Sequence, residues 1–334
     1  MDTFVIAEAG ANHNRDYTKA IKLIDIAKSS GADAVKFQTY SSETLYSKNT
    51  PDFAGYKNIN QLIKDIELPR EWQKSLKQYC DKIGIEFMST PFDENAINEL
   101  YDLGVKRFKI AGFESTDLRF LRKVARTKKP LIISVGIGCS FKFIDKILSS
   151  CYEEKNHKIT LLHCNNAYPT PQKDINLQTM VDIKKIYNYP VGLSDHTLST
   201  LTPSLAVALG ATVIEKHFTL DKTLPGPDHK FALEPHELKE MIDNIRLTEL
   251  SLGRKEDKYS KSEKEFKKAG RSIVAKTYLE PGDYYSIDNI TTKRPYLEGN
   301  IHASQFYNML GKVVNKNYKP DDFIKKLPFA DGNL

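Results

Sequence analysis

The sequence of 334 residues predicts an α/β protein, a (β/α)8 barrel followed by a small C-terminal domain. Short apolar runs alternate with longer amphipathic segments from residue 3 to about residue 253, and polar side chains follow the ends of the runs. Eight such units in about 250 residues match the size of this barrel. A doubly wound open sheet is the competing fold. It is disfavoured because no glycine-rich dinucleotide-binding turn follows the first run.

The predicted strands are short apolar runs, and the predicted helices are segments with one apolar face. The strands span residues 4–9, 34–40, 85–90, 107–111, 131–135, 159–164, 191–196 and 213–218. Helical periodicity is found, for example, at residues 18–29, 72–83 and 237–252. Glycines that fit a left-handed helix cap precede several strands, namely Gly31, Gly84, Gly104 and Gly210. The barrel is therefore expected to occupy residues 1–253.

The C-terminal part of the chain has a different character. Residues 254–268 are charged and poor in apolar side chains, which is typical of a linker or an exposed helix. A small domain is expected at residues 269–334, with turns around Gly282 and Gly299. Its predicted strands are residues 272–275, 290–292 and 313–314. A domain of this size would be stabilised by packing on the barrel or on another subunit.

Charge and hydropathy exclude several classes of partner. The net charge is +6, from 49 basic and 43 acidic residues, and the basic residues are scattered along the chain. This distribution does not indicate a nucleic-acid partner. No apolar run approaches the roughly 18 residues of a membrane helix, and the N-terminus lacks the features of a signal peptide. We therefore expect a cytoplasmic protein without a membrane partner, whose four cysteines are reduced.

The most informative motif is a pair of histidines, His196 and His217, each at the end of a predicted strand. Two residues before them stand Ser194 and Glu215, and side chains two apart in a strand face the same side. At least four polar groups therefore converge on one pocket. A lone histidine is more often a hydrogen-bonded residue at a barrel rim. The repeated pattern instead favours a shared divalent metal that polarises a carbonyl group.

Most of the other predicted strand ends, and the loop after the last strand, also carry polar groups. They are Glu8, Lys36, Gln38, Thr90, Lys109, Glu114, Ser115, Ser134, Asn165, Asn166, Tyr168 and Asp228. Each alone has an ordinary structural explanation, such as a helix cap or a surface ion pair. Buried polar groups are unfavourable without partners, so a ligand rich in oxygen atoms explains the whole set. Two lysines with hydroxyls and amides fit a phosphate or carboxylate.

Several ordered motifs resemble those of the sialic acid synthase family. They include Ile6-Ala7-Glu8-Ala9-Gly10, Val35-Lys36-Phe37-Gln38, Ser89-Thr90-Pro91-Phe92, Phe108-Lys109-Ile110, Gly192-Leu193-Ser194-Asp195-His196-Thr197, Glu215-Lys216-His217-Phe218 and Gly226-Pro227-Asp228. Lys293-Arg294-Pro295 resembles part of the antifreeze-like (SAF) domain of that family. The resemblance spans the chain and implies a barrel with a C-terminal SAF domain.

The family condenses phosphoenolpyruvate with an N-acylated mannosamine-like aldehyde sugar, giving a nine-carbon 2-keto acid and phosphate. The resemblance implies that His196 and His217 bind a metal ion, with Mn2+ preferred over Mg2+ or Co2+. It implies a phosphoenolpyruvate site formed by Lys36, Thr90, Lys109, Ser134, Asn166 and Ser194. It implies a sugar site formed by Glu8, Gln38, Tyr168 and Asp228. Catalytic roles are expected for Glu8, Glu215 and the two histidines.

The same resemblance implies a domain-swapped homodimer, in which Arg294 reaches the barrel of a partner subunit and binds the N-acyl group of the sugar. The sugar itself stays open. The motif at Asn166 resembles enzymes that use N-acetylmannosamine, and Pro225-Gly226-Pro227-Asp228 fits both those and the legionaminic acid synthases. The segment from Ile110 to Glu114 is closer to pseudaminic acid synthases. The candidates are therefore N-acetylmannosamine and 2,4-diacetamido-trideoxyhexoses.

One departure from the family is Gly112, where a serine that contacts phosphate is common. Loss of one hydroxyl contact costs on the order of 1 kcal/mol, and we expect a backbone N–H or Ser115 to compensate. Two alternatives remain. One is another phosphoenolpyruvate-dependent keto-deoxy sugar acid synthase, which would lack the small domain with Arg294. The other is a catalytically silent sugar-binding barrel, which Gly112 alone supports.

Overall fold

The computed structural model describes residues 2–52, 57–253 and 260–326. The chain divides into two compact units, Met1–Leu252 and Gly253–Leu334, and each is described by itself. Residues 254–259 of the expected linker lie outside the described residues. The rest of that segment includes the start of a 3-10 helix at Lys264–Ala269.

The described part of the first unit contains the eight predicted strands. They are β1 (Phe4–Glu8), β2 (Ala34–Thr39), β3 (Glu86–Pro91), β4 (Phe108–Ile110), β5 (Leu131–Val135), β6 (Ile159–Cys164), β7 (Val191–Asp195) and β8 (Val213–His217). Its helices are α1 (Tyr17–Ser30), α2 (Ile59–Ile66), α3 (Trp72–Ile83), α4 (Glu94–Asp102), α5 (Leu118–Arg126), α6 (Phe141–Glu153), α7 (Gln178–Tyr187), α8 (Thr202–Ala208) and α9 (Pro235–Ser251). Within the described ranges, no helix has the length and apolar character needed to cross a membrane.

The eight strands form one parallel sheet in the order β3-β2-β1-β8-β7-β6-β5-β4. The outermost strands β3 and β4 also lie against each other, so the sheet curls into a barrel. The (β/α)8 prediction is therefore confirmed. The register places Glu8 opposite both Lys36 and His217, and Ser194 opposite Glu215. Polar residues from β1, β2, β7 and β8 are thus brought together towards the carboxyl ends of these strands.

Local sequence sets the ends of the helices. The Asp16 side chain caps α1 by accepting a hydrogen bond from the Lys19 N–H. Gly31 then ends α1 at φ 89°, a left-handed conformation that favours glycine. Pro235 begins α9 at a position where a missing N–H is tolerated. At least one helix lies between each pair of consecutive barrel strands, so the chain returns to the same end of the barrel before each new strand.

The core of the barrel unit has two parts. The larger part lies between the sheet and the surrounding helices. A smaller cluster fills the inside of the barrel and consists of Ile6, Ala34, Met88, Ile132, Leu162 and Val213. Two residues further along the same six strands stand Glu8, Lys36, Thr90, Ser134, Cys164 and Glu215. Side chains two residues apart on a strand face the same side, so these six side chains also point into the barrel. They form the next layer towards the carboxyl ends of the strands.

The second unit contains an antiparallel pair, β9 (Ser272–Ala275) and β10 (Ile290–Lys293), and a short helix α10 (Phe306–Met309). These strands occur where the sequence predicts them. The prediction of a strand at residues 313–314 was wrong, because Val313 forms only a single β-bridge with Tyr284. The unit has its own apolar core, in which Ile273, Ile290 and Val314 are buried.

Candidate active site

The first part of the site is built around the ammonium group of Lys36, the third residue of β2. Its Nζ lies 2.7 Å from Glu8 Oε2 and donates a hydrogen bond of 2.8 Å to Thr90 Oγ1. Gln38 Nε2 donates to the other oxygen of Glu8, Oε1, at 3.0 Å. Three neighbouring strands therefore supply four polar side chains that are already in contact at the carboxyl end of the barrel.

The second part of the site surrounds the carboxylate of Glu215. Lys109 Nζ lies 3.3 Å from Glu215 Oε1, and Lys36 Nζ lies 3.9 Å from Glu215 Oε2. Ser194 Oγ donates a hydrogen bond of 3.1 Å to Oε1. Lys36 and Lys109 are each only 2% exposed, so their charges are removed from bulk water. Such buried charges persist only with close partners of opposite charge.

The two buried carboxyl groups have different acidities. Burial, together with repulsion from Glu215, raises the pKa of Glu8 to about 7 although Lys36 opposes the shift. Burial also acts on Glu215, but there Lys109 and Lys36 overcome it and lower the pKa. Glu215 is therefore ionised at neutral pH, whereas Glu8 can exchange a proton near neutrality. Two carboxyl groups with separated pKa values are suited to distinct acid and base roles.

His196 and His217 lie beside this cluster, with ring centroids 5.5 Å apart. Burial lowers the pKa of His196 to about 4 and that of His217 well below its usual range, so both rings are neutral. His196 Nδ1 lies 2.7 Å from the Asn165 carbonyl oxygen, an acceptor, so Nδ1 carries the proton and Nε2 is left with its lone pair. His217 Nδ1 is buried and has no hydrogen-bond partner among the described residues.

Few side chains near these two rings could serve as metal ligands. Across residues 2–52, 57–253 and 260–326, no group of three His, Cys, Asp or Glu side chains has the geometry of a metal site. Two neutral imidazoles are nevertheless suitable ligands for a divalent transition metal. An orphaned buried nitrogen on His217 fits such an ion. The remaining ligands would then come from water or substrate, as in open catalytic sites.

Tyr168 and Asp228 lie at the mouth of the barrel. The Tyr168 ring centroid is 4.1 Å from that of His196, and Phe231 packs 5.2 Å from Tyr168 and 5.1 Å from His217. Tyr168 is 45% exposed, so it borders the opening. Asp228 accepts a hydrogen bond of 3.2 Å from the backbone N–H of Ala11. Its loop therefore lies over the end of β1.

Asn166 occupies a space formed by two glycines. A Cβ on Gly112 would lie 2.8 Å from Asn166 Nδ2, and a Cβ on Gly136 would lie 2.2 Å from Asn166 Oδ1. Asn166 Oδ1 also accepts a hydrogen bond of 3.0 Å from the Ile137 N–H. Ser115 donates to the Gly112 carbonyl oxygen at 2.9 Å. The polar group beside Gly112 is therefore the Asn166 carboxamide, whereas the hydroxyl of Ser115, one of the two expected substitutes, is bonded to the backbone.

The barrel thus gathers thirteen of the site residues that the sequence predicts, from the ends of its strands and the loops that follow. They are Glu8, Lys36, Gln38, Thr90, Lys109, Ser134, Asn166, Tyr168, Ser194, His196, Glu215, His217 and Asp228. The Ser134 hydroxyl is buried without a hydrogen-bond partner among the described residues, which suits a ligand contact. Arg294 belongs to the second unit, where it is exposed just after β10. The individual roles of these residues stay predictions.

Glu114 is among the polar groups expected after the strand ends, but it has no predicted binding or catalytic role. Burial raises the pKa of Glu114 to about 7, although its own backbone N–H and then Lys109 act in the opposite direction. Its Oε2 is buried with no hydrogen-bond partner among the described residues. The signal in the sequence is an acidic residue five positions after Lys109, in the loop that follows β4. A carboxyl group with a raised pKa in such a cleft is a candidate functional group.

The fold and this site define a (β/α)8 barrel with a buried charged cluster at the carboxyl ends of its strands, the usual location of barrel active sites. A model of the NeuB family matches residues 23–257, and a model of the SAF domain matches residues 270–327. The chain therefore belongs to the NeuB family, the sialic acid synthases, and carries a C-terminal SAF domain.

Two relatives named as synthases align with this chain over nearly their full length. An N,N'-diacetyllegionaminic acid synthase from Campylobacter jejuni is 41% identical, covering 97% of this chain and 99% of that protein. A pseudaminic acid synthase from the same species is 37% identical, covering 98% and 96%. The crystal structure of an N-acetylneuraminic acid synthetase from Leptospira borgpetersenii has a TM-score of 0.73 and 35% identity, covering 80% of this chain and 90% of that one.

Proposed function

We propose that this protein is a nonulosonic acid synthase. It condenses phosphoenolpyruvate with an N-acylated mannosamine-type aldehyde sugar and water, and it releases a nine-carbon 2-keto acid and phosphate. The observation that carries the proposal is the buried cluster in which Lys36 and Lys109 flank Glu215 beside the two neutral histidines. The names of its relatives support the same reaction class.

Phosphoenolpyruvate would bind at the two lysines. Its phosphate and carboxylate are anionic, and Lys36 and Lys109 are buried cations with adjacent hydroxyl groups at Thr90 and Ser194. Charge-assisted hydrogen bonds of this kind are stronger than neutral ones. Ser134 and Asn166 would add further donors. Holding the enol carbon in a fixed place lowers the entropic part of the barrier to carbon–carbon bond formation.

The sugar would bind on the other side of the cluster. Glu8 and Gln38 already form a hydrogen-bonded pair, and Tyr168 and Asp228 lie at the mouth above them. Hydroxyl groups of an open-chain sugar both donate and accept, which matches carboxylates and an amide. His196 and His217 would hold the divalent metal, with Mn2+ preferred, and that ion supplies Lewis acidity at the sugar aldehyde.

The reaction forms one carbon–carbon bond, between the enol and the aldehyde, and one carbon–oxygen bond, between C2 and water. C3 of phosphoenolpyruvate bonds to the aldehyde carbon, whose oxygen gains a proton and becomes a hydroxyl. Water adds to C2 and gives up both of its protons: one balances the proton gained by the aldehyde oxygen, and the other leaves with phosphate when the bond between C2 and the phosphate oxygen breaks and the keto group forms. Glu215, ionised between two lysines, would stabilise positive charge at C2. Glu8 and Glu215 are the nearby groups for the proton transfers.

Arg294 would complete the sugar site from a partner subunit and bind the N-acyl group. In a homodimer of this kind, each active site combines the barrel of one chain with the SAF domain of the other. The support is the resemblance of Lys293-Arg294-Pro295 to the family motif and the exposure of Arg294. The keto-deoxy sugar acid synthases considered as an alternative lack this domain.

The decisive experiment measures phosphate release and product mass. Purified protein receives phosphoenolpyruvate and Mn2+ with N-acetylmannosamine or with each 2,4-diacetamido-trideoxyhexose, and a parallel series contains chelator. Metal-dependent phosphate release with one of these sugars, together with a product of the mass of the condensed 2-keto acid, is the expected result. Turnover only with a phosphorylated pentose or tetrose would instead support the alternative synthase. No binding of either metal or phosphoenolpyruvate would indicate a silent barrel.

A further inference from the structure

Two charged residues lie next to the histidines in sequence but point away from the active site. Asp195 precedes His196, and Lys216 precedes His217. Since side chains alternate along strands β7 and β8, these two face the helices outside the barrel when the histidines face its interior. Asp195 and Lys216 are each only 1% exposed. Neither is used by the proposed reaction.

Their contacts enclose the backbone of His196. Lys216 Nζ lies 2.7 Å from Asp195 Oδ2, and it also donates to the carbonyl oxygen of Thr197 and, at 3.4 Å, to Thr197 Oγ1. Asp195 accepts hydrogen bonds from the Thr197 N–H at 2.9 Å and from Thr197 Oγ1 at 3.1 Å. One ammonium group on β8 thus binds the residues immediately before and after His196, which follows β7.

This arrangement couples the backbone position of His196 to that of His217. Asp195 and Lys216 are direct partners in the register of β7 and β8. His196 stands just past the end of β7, where the ladder no longer fixes the backbone. The side-chain contacts of Lys216 extend that connection by two residues. Because Lys216 is bonded through its own backbone to His217, a movement of either histidine along the strand direction would break the ion pair.

We infer that Asp195, Thr197 and Lys216 are positioning residues that hold His196 and His217 at the spacing needed for one shared metal ion. The inference rests on the proposed function, because it assumes that both histidines bind the same ion. A buried ion pair without such a task is often replaceable by apolar side chains of similar size. Each member of this pair directly precedes one of the two histidines, so the pair can fix the distance between them.

The test compares Mn2+ affinity with stability. Calorimetric titration of Mn2+ into wild-type protein is compared with Lys216→Met, Asp195→Asn and the milder Thr197→Val, and thermal unfolding is recorded for each. The expected result is roughly 10- to 100-fold weaker Mn2+ binding in Lys216→Met, the range seen when groups that orient metal ligands are lost. Phosphoenolpyruvate binding in chelator is expected to stay unchanged, because Lys36 and Lys109 are intact. Lys216→Arg should recover part of the metal affinity.

The matched control is the Arg107–Glu86 ion pair. Arg107 Nε lies 2.8 Å from Glu86 Oε1, and the pair joins the residue before β4 to the first residue of β3. Arg107→Met should lower stability without changing Mn2+ affinity. If Lys216→Met fails to fold, Thr197→Val gives the answer, since it removes one hydroxyl from the same network. Folded variants with wild-type Mn2+ affinity would overturn this inference alone. Wild-type protein that binds no Mn2+ would overturn the metal site and the inference together.

Discussion

The Lys36 ammonium lies 2.7 Å from Glu8 Oε2 inside the barrel, where both side chains are almost fully buried. Lys36→Met leaves that carboxyl group without its cation. We expect kcat/KM for phosphoenolpyruvate to fall by more than about a hundredfold, because the substrate also loses a buried cation. The free energy of unfolding should fall by up to about 3–5 kcal/mol, with a smaller loss at pH 6 than at pH 8 because Glu8 can take up a proton.

Steady-state kinetics and denaturant unfolding measure both effects. Lys77→Met is a suitable control, since Lys77 forms an exposed ion pair with Asp81 on α3 and should leave kinetics unchanged. Wild-type KM in folded Lys36→Met protein would contradict the assignment of Lys36 to the phosphoenolpyruvate site.

Gly112 is expected to set the position of the Asn166 carboxamide. In Gly112→Ala, the new Cβ would lie 2.8 Å from Asn166 Nδ2, the end of a side chain that can turn away. We expect a raised KM for phosphoenolpyruvate with little change in stability. Gly136→Ala differs, because its Cβ would also lie 2.8 Å from the backbone oxygen of Cys164, which cannot turn away. That variant should unfold at a lower temperature, and equal stability losses in the two variants would contradict this account.

Removal of metal is expected to abolish turnover, and Mn2+ should restore it. His196→Asn should weaken Mn2+ binding by more than about a hundredfold, beyond the usual effect of losing a group that only orients a ligand. His163→Gln is the matched control. His163 is also buried, on neighbouring β6, but its Nε2 lies 2.6 Å from the Ile175 carbonyl oxygen. Titration calorimetry should show unchanged Mn2+ affinity for the His163 variant, and a similar loss in both variants would argue against the histidine pair.

Glu114 is expected to make stability depend on pH. Its pKa rises from 4.5 when exposed to about 7 when folded, mainly through burial. Between these values the folded state binds more protons than the unfolded state, so stability falls as pH rises from 5 to 8. Glu114→Gln removes that loss and should therefore be more stable than wild type at pH 8, by at most about 3 kcal/mol.

Urea unfolding at pH 5, 6.5 and 8 measures the difference between the two proteins. The difference should grow with pH, and Glu94→Gln, which alters an exposed carboxyl group, should not reproduce it. A constant difference across this range would mean that Glu114 has an ordinary pKa.

The role of Arg294 can be tested by complementation between two inactive variants. Arg294→Ala lacks the predicted N-acyl contact, and Lys36→Met lacks a cation of the barrel. If Arg294 acts in a partner subunit, a mixed dimer contains one intact site. Co-expression should then recover about one quarter of wild-type activity, since half of randomly formed dimers are mixed and each has one working site of two. No recovery from mixed dimers would place Arg294 in the site of its own chain or outside it.

The eight strands were predictable because each is a short apolar run, and the observed ranges differ from the predicted ones by at most one residue at either end. The convergence of Glu8, Lys36 and Glu215 follows from strand alternation once the barrel is known. The compensation for Gly112 by a backbone N–H or Ser115 stays a prediction, and the structure adds one contact of Ser115. Its position three residues after Gly112 lets the hydroxyl bond to the Gly112 carbonyl oxygen, a local contact that competes with a ligand contact.

The sequence by itself determined the barrel, the presence of a second domain and the residues with the chemistry of the site. These follow from periodicity and from residue types at strand ends, both of which are local properties. Only the tertiary structure decided that Asn166 fills the space beside Gly112, that Glu114 has a raised pKa and that Lys216 binds both neighbours of His196. Distances between side chains on different strands, and burial, depend on packing across the whole barrel, which local sequence does not specify.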